Sequence, residues 1–193
     1  MKKIRLHLGC GNDKRKGYLN CDLSPEVAPD LVLDLEKTPL QFKDDSADEI
    51  LANHVLEHVT NFVPLMHELW RVCKKGALIT IRVPFYAAWG QFNDPTHIRF
   101  FTPFTFNYFK KGNYSHEVGA NKDMFHVEKV TINYGIGRMK KFNWLINPLI
   151  NWNQELYCRL FAFILPASEI HYRLRVIKLR YPKDSSQSKI NKP

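Results

Sequence analysis

The chain has 193 residues, 45% of them apolar and 13% aromatic, which suits one domain with its own core and excludes a disordered segment. Four widely spaced cysteines (Cys10, Cys21, Cys73, Cys158) include no Cys-x-x-Cys pair, which argues against a zinc site or a disulfide framework and fits a reducing, cytoplasmic setting. The net charge of +9 is uneven: residues 1–96 hold 12 basic and 13 acidic side chains and residues 97–193 hold 16 and 6, so the second half is the basic one. A basic half favours an anionic partner, whether nucleic acid, a phosphorylated sugar or a membrane surface, or serves solubility alone. No apolar stretch follows the first basic residues, so no signal peptide is expected, and no run approaches the ~18 apolar residues of a spanning helix.

Ile4, Leu6 and Leu8 alternate as in a strand and run into Gly9-Cys10-Gly11. Glycine lets a ligand lie against the backbone there. Leu19 to Asp22 reads as a second short strand with an acid at its end. A glycine turn after one strand and a carboxylate after the next is the arrangement that binds an adenosine-containing ligand. The third glycine of the dinucleotide fingerprint is absent, and Asp22 follows Gly11 by eleven positions rather than about 20. A crossover helix hardly fits between Gly11 and Tyr18. A tight turn between two core strands is the plainer reading of this stretch alone.

Asp30 to Leu35 reads as a third strand, and Glu49 to Ala52 as a fourth that ends at Asn53-His54. Val55 to Cys73 repeats apolar residues at helical spacing, and Pro64 splits it into a short turn and a longer helix. Lys74-Lys75-Gly76 reads as the helix stop. Ala77 to Val83 is the fifth strand, ended by Pro84. Apolar strands alternating with connections imply a parallel sheet covered on both faces, with ligands outside the carboxyl ends of its strands. Those ends supply Gly9 to Gly11, Asp22, Asp34, Asn53-His54 and Pro84-Phe85 to one rim.

The second half is less regular. Trp89 to Thr105 reads as a long loop carrying Asp94, His97 and Arg99. A short helix is expected from Thr102 to Phe109, with Thr102 as its N-cap. Lys110 to Lys122 reads as a polar loop, His126 to Tyr134 as a sixth strand, Asn147 to Ile164 as a helix with Pro148 near its start, and Glu169 to Arg180 as the last strand. The apolar stripe of Trp144, Leu145, Leu149, Trp152, Leu156, Leu160 and Phe161, with Arg138, Lys140 and Lys141 just before it, fits either an interfacial amphipathic segment or a cap packed on the sheet, the commoner use of such a stripe. Residues 183–193 read as a disordered tail.

The phrases His7-Leu-Gly-Cys-Gly11, Asp22, Ala52-Asn-His-Val-Leu-Glu-His58 and Leu69-Trp-Arg-Val-Cys-Lys-Lys-Gly76 resemble the class I S-adenosylmethionine-dependent methyltransferases, most closely the small ones with Leu-Glu-His after strand four. Asp94-Pro-Thr-His97-Ile-Arg-Phe-Phe-Thr-Pro103 and Phe161-Ala-Phe-Ile-Leu-Pro-Ala167 resemble a branch associated with cell-surface glycan biosynthesis. The resemblance implies an α/β, Rossmann-like fold with a mostly parallel seven-stranded sheet and an antiparallel last strand. It implies one domain over residues 1–182, with acceptor-side or cap insertions at 85–125 and 138–168. S-adenosyl-L-methionine is the implied cofactor. Gly9, Cys10 and Gly11 would meet its methionine part, Asp22 the ribose, Asp34 and Leu35 the adenine, and Asn53 its centre.

Methyl transfer leaves the protein to position the acceptor and take its proton. His97 is the expected general base, and His54, Asp94 and Arg99 are the acceptor-side candidates. Arg99 has two uses open to it, an acceptor anion or Asp94. His54, Glu57 and His58 would share a helix face, yet no further ligand at metal spacing accompanies them, so no metal is expected. The expected acceptor is an oxygen of a glycan-related or other small or lipid-linked molecule, with contact to the inner face of a membrane as an accompanying expectation. A tRNA or other nucleic-acid methyltransferase and a non-enzymatic binding protein of the same fold are the alternatives; no Asn-Pro-Pro-Tyr-like base-methylation motif is present.

Overall fold

The computed structural model describes residues 3–111 and 123–178. The expected loop tip at 112–122 and tail at 183–193 lie outside them. Seven strands form one sheet: β1 Arg5–Leu8, β2 Leu19–Asp22, β3 Leu31–Val32, β4 Ala47–Asn53, β5 Cys73–Pro84, β6 Phe125–Asn133 and β7 Glu169–Val176. Their spatial order is β3-β2-β1-β4-β5-β7-β6. β7 runs antiparallel to both its neighbours, and the other six strands are parallel to one another. This is the expected fold class.

The central strand β1 is buried on both faces, through Leu6, His7 and Leu8. β5 buries Ile79, Ile81 and Val83 on one face, and Leu78, Thr80 and Arg82 on the other are only partly covered. Helix α1 (Phe62–Val72) covers one face with Phe62, Leu65, Met66, Leu69 and Val72, the three- and four-residue spacing of one helical stripe. Pro64 lies in its first turn, where a missing N–H breaks no intrahelical bond. The carboxylate of Glu36 closes the start of α1: it accepts from Thr60 N and Thr60 Oγ1, both at 2.6 Å, and from Asn61 N at 3.1 Å.

Several boundaries differ from the expectation. The third strand shrinks to two residues, since β3 is a sheet edge that pairs only with Cys21 and Asp22. No helix joins β1 to β2. The α1 helix stops at Cys73, not at Lys74-Lys75-Gly76. Those residues lie in β5, where pairing jumps from Ala47–Cys73 to Glu49–Leu78, and Gly76 at φ 78° makes the turn of this bulge. The loop after β5 contains a short helix, α2 (Trp89–Asn93). The next helical turn is 3-10 and spans Thr105–Phe109, so Thr102 is not its N-cap. Instead the Thr105 hydroxyl accepts from Thr102 N at 2.9 Å.

The helix expected from Asn147 begins earlier, as α3 (Asn143–Trp152), with Pro148 inside it. It breaks at the extended Asn153, whose side chain accepts from Leu156 N and starts α4 (Gln154–Leu156). A π turn over Tyr157–Phe161 follows. None of these helices, nor any other among the described residues, is long and apolar enough to cross a membrane.

Candidate functional site

The turn after β1 is left-handed at both glycines, φ 60° at Gly9 and 48° at Gly11. A Cβ on Gly9 would stand 2.5 Å from the Val55 side chain, so the loop after β4 closes directly on this turn. A Cβ on Gly11 would meet nothing within 4 Å, which leaves open space beside the backbone. Cys10 N donates to Cys21 O at 3.0 Å and ties the turn to β2. The Cys10 side chain is buried, and burial is the chief cause that pushes its thiol pKa up.

Asp22 ends β2 with each carboxylate oxygen accepting one backbone N–H: Oδ2 from Gly11 at 2.7 Å and Oδ1 from Ser24 at 3.0 Å. Each oxygen keeps a second lone pair for a hydroxyl donor. A cavity of about 340 Å³ opens here, large enough for part of a nucleoside-sized ligand. Its lining includes Gly9, Gly11 and Asp22 from the first two strand ends, Leu23, Leu33 and Leu35 with the acids Asp34 and Glu36, and His54, Val55, His58 and Val59 from the loop after β4. The Asp34 carboxylate accepts from Glu36 N at 3.0 Å and lies 3.2 Å from Lys37 Nζ, which hold its pKa down. Of the residues expected at the cofactor, Cys10 and Asn53 are not in the lining.

The loop after β4 carries the titratable groups. His54 has φ 49°, a conformation that a non-glycine residue adopts only under constraint. Its backbone N–H donates to Arg82 O at 2.8 Å. Its half-exposed ring lies 3.4 Å from Glu169 and 3.4 Å from Glu57, and these two carboxylates, Glu169 first, raise its pKa to about 9. Burial works against Glu169 ionising, but bonds from His171, His54 and Arg82 outweigh it and hold this acid well below the usual range.

The 3-10 turn Leu56–His58 sends neighbours in opposite directions. Glu57 is fully buried with neither oxygen hydrogen-bonded, and His58 lines the cavity. Behind His58 stands His97, with ring centroids 4.7 Å apart. The His97 side chain is only 9% exposed and does not line the cavity. Its Nδ1 faces Gln91 O at 3.2 Å, the geometry of an N–H donating to a carbonyl, and its Nε2 is 3.7 Å from Asp94 and 4.0 Å from Glu57. Asp94 Oδ1 accepts from Thr96 N at 2.8 Å and Thr96 Oγ1 at 2.6 Å, and that hydroxyl meets His58 Nδ1 at 2.8 Å. Glu57, His58 and His97 are the ligand-type residues here that could hold a metal: their atoms lie within 4.8 Å of one another, against about 3.4 Å in a tetrahedral set.

Arg99 does not pair with Asp94. Its guanidinium donates to Val59 O at 2.6 Å and to Thr60 O, and lies over the Phe62 ring. It buttresses the loop that forms the cavity wall, and it does not line the cavity. Leu23, Val55, Val59 and His58 line the cavity as well, none of them among the site residues that the sequence points to. The Leu-Glu-His phrase was the available signal for His58.

Residues 6–81 match a family described as a methyltransferase domain. No curated protein sequence matches the chain. Among solved structures, a SAM dependent methyltransferase from Archaeoglobus fulgidus is similar at TM-score 0.61 and 16% identity, covering 90% of this chain and 86% of that one. An S-adenosylmethionine dependent methyltransferase from Mesorhizobium loti gives 0.54 and 14%, covering 89% and 90%. Haemonchus contortus phosphoethanolamine N-methyltransferase 2, in complex with S-adenosyl-L-methionine, gives 0.53 and 12%, covering 93% of this chain and 50% of that one. The chain is thus similar over residues 6–81 to a methyltransferase domain, and its fold is the one that these S-adenosylmethionine-dependent methyltransferases share.

Proposed function

We propose that this methyltransferase domain transfers a methyl group from S-adenosylmethionine to an oxygen of a small or lipid-linked, glycan-related acceptor. The observation that carries the cofactor reading is the Asp22 carboxylate, held by Gly11 N at 2.7 Å at the mouth of the cavity with lone pairs to spare. The cavity suits an adenosyl ligand in chemistry: acceptors for ribose hydroxyls, Leu33 and Leu35 for a flat base, and open backbone at Gly11. When bound, S-adenosylmethionine supplies an electrophilic methyl group on a sulfonium.

In this reading Gly9, Cys10 and Gly11 hold the methionine part through backbone groups, Asp22 the ribose, and Asp34 and Leu35 the adenine side. Asn53 supports the centre from the end of β4. His54, charged near neutrality, offers a cation at the cavity edge to a carboxylate or phosphate. A hydroxyl acceptor must lose its proton, and imidazole is suited to take it near neutral pH. The pair His58–His97 serves here, with His58 toward the cavity and His97 behind it; Asp94 orients His58 through Thr96 and faces His97 directly.

Titration calorimetry with S-adenosylmethionine and with S-adenosylhomocysteine tests the cofactor reading: saturable binding of either is expected, and no heat from folded protein with both overturns it. Transfer of labelled methyl to a glycolipid extract but not to tRNA supports the acceptor class; the reverse outcome replaces it.

A further inference from the structure

Helix α3 sets a row of amides, as well as Ile146 and Ile150, against the sheet and leaves its largest apolar side chains outside. Asn143, Asn147 and Asn151, one turn apart, face the sheet. Asn143 accepts from Gly135 N at 2.8 Å and donates to Gly135 O at 2.9 Å. Asn147 accepts from Tyr134 N at 2.9 Å. Asn151 accepts from Ile132 N and donates to Ile132 O, both at 2.8 Å. Gln154 continues the row onto Val130 O at 3.0 Å. β6 is an edge strand, so this ladder of amides satisfies backbone groups that the sheet leaves open.

The polar stripe therefore points inward. Trp144, Leu145, Leu149 and Trp152 point outward, 77, 52, 68 and 86% exposed. A surface helix ordinarily does the opposite. The apolar surface continues after the break at Asn153 through Leu160, Phe163 and Ile164, all exposed. Single exposed apolar residues are ordinary, but a run along one helix face marks a surface that meets something.

Charge selects the occupant. Arg138, Lys140 and Lys141 directly precede α3 and are exposed. Residues 135–166 hold four basic side chains and one acid, Glu155, which pairs with Arg159 at 3.0 Å. A second copy would set these like charges against each other. A bilayer surface with anionic headgroups matches both features: tryptophan and leucine enter the interface, and lysine and arginine meet the headgroups. The surface also adjoins the working end of the sheet. Just past β5, the Tyr86 hydroxyl donates to Cys158 O at 2.6 Å, and its ring meets Phe163 at 5.7 Å.

We infer that α3 and the turns after it seat this protein in the plane of an anionic membrane surface. The inference concerns where the protein sits and stands apart from the methyl-transfer reading.

Tryptophan fluorescence of the full chain tests it directly. Of the four tryptophans, Trp70 is half-buried and bonded to Ile177 O, while Trp89, Trp144 and Trp152 are exposed. With vesicles of phosphatidylglycerol and phosphatidylcholine, emission shifts to the blue and the protein sediments with the vesicles, less so in high salt. Leu149→Asp and Trp152→Asp each weaken partitioning at least about tenfold with no loss of thermal stability. Absence of both signals with phosphatidylglycerol vesicles overturns the inference. Equal binding to phosphatidylcholine alone overturns the anionic assignment. A doubled mass in sedimentation equilibrium that Leu149→Asp abolishes, without vesicle binding, gives the face to a second copy instead.

Discussion

The backbone N–H of Gly11 donates to the carboxylate of Asp22 at 2.7 Å across a spacing of eleven residues. This bond replaces the crossover helix of longer dinucleotide-binding units: it fixes the glycine turn and the acid relative to each other through a loop too short for a helix. Asp22→Ala removes the bond and the ribose acceptor together. Loss of hydrogen bonds to a charged group costs about 1.5–3 kcal/mol, so affinity for S-adenosylhomocysteine is expected to fall at least tenfold by calorimetry. Unchanged affinity in the folded variant places the ligand elsewhere.

Gly9 is constrained twice, by φ 60° and by Val55, 2.5 Å from where a Cβ would stand. Gly9→Ala is expected to lower stability by about 1–2 kcal/mol from the left-handed backbone alone, with the clash added. Adding Val55→Ala relieves the clash and leaves the backbone cost, so the double variant in urea unfolding sits below the wild type and above the sum of the two single losses.

In the proposed reading, His58 and His97 divide one task. His58→Ala is expected to reduce kcat by roughly 10²–10⁴ with cofactor affinity retained. His97→Ala lowers kcat by a smaller factor and shifts the pH–rate profile, because it acts through the ring in front of it. A full loss in His97→Ala beside an active His58→Ala assigns the base to His97 alone.

Arg99→Ala, by contrast, is a stability variant. The guanidinium holds Val59 O and Thr60 O, whose loop flanks the cavity. A lower melting temperature with the acceptor KM of the folded fraction unchanged is the expected pair of results. A raised KM at unchanged stability puts Arg99 on the acceptor.

Stability should fall on both sides of a maximum near pH 5–6. The His54 pKa rises from 6.5 to about 9 on folding, so its contribution is complete below 6.5 and is lost as pH climbs through 9. Glu169 is depressed below its ordinary 4.5, so its contribution is present above 4.5 and fades as pH drops through the folded value. His54→Gln should therefore differ most from wild type in urea unfolding at about pH 6 and converge with it above pH 9. A constant difference across that range rules out the ionic pairing.

The sheet was legible because burial wrote itself into its strands, as in the alternation of buried Ile79, Ile81 and Val83 along β5. Glycine and acid at the strand ends marked the rim for the same reason: few other residues tolerate φ 60° or satisfy Gly11 N. Local turns were harder. Leu-Glu-His has helical spacing, but as a 3-10 turn it buries Glu57 and turns His58 to the cavity, a difference of one backbone hydrogen-bond register. His97 stood out as a loop histidine, and only the tertiary position of Gln91 and His58 shows that it is covered. The stripe on α3 was visible in the sequence, but periodicity tells that a helix has two faces and not which one meets the protein. The asparagines decided that, by matching the spacing of open backbone groups on β6.

The position of β7 between β5 and β6 has a consequence for synthesis. β6 leaves the ribosome with no hydrogen-bonding neighbour in the sheet, since β5 lies one place away and the gap is filled by β7, which follows β6 in the chain. Until Glu169–Val176 has emerged and inserted, Phe125 and Ile132 have no completed sheet to bury against, and both edges of the gap present unpaired backbone. The nascent chain closes like a zipper from its far end, and that interval is when a holdase has most to cover.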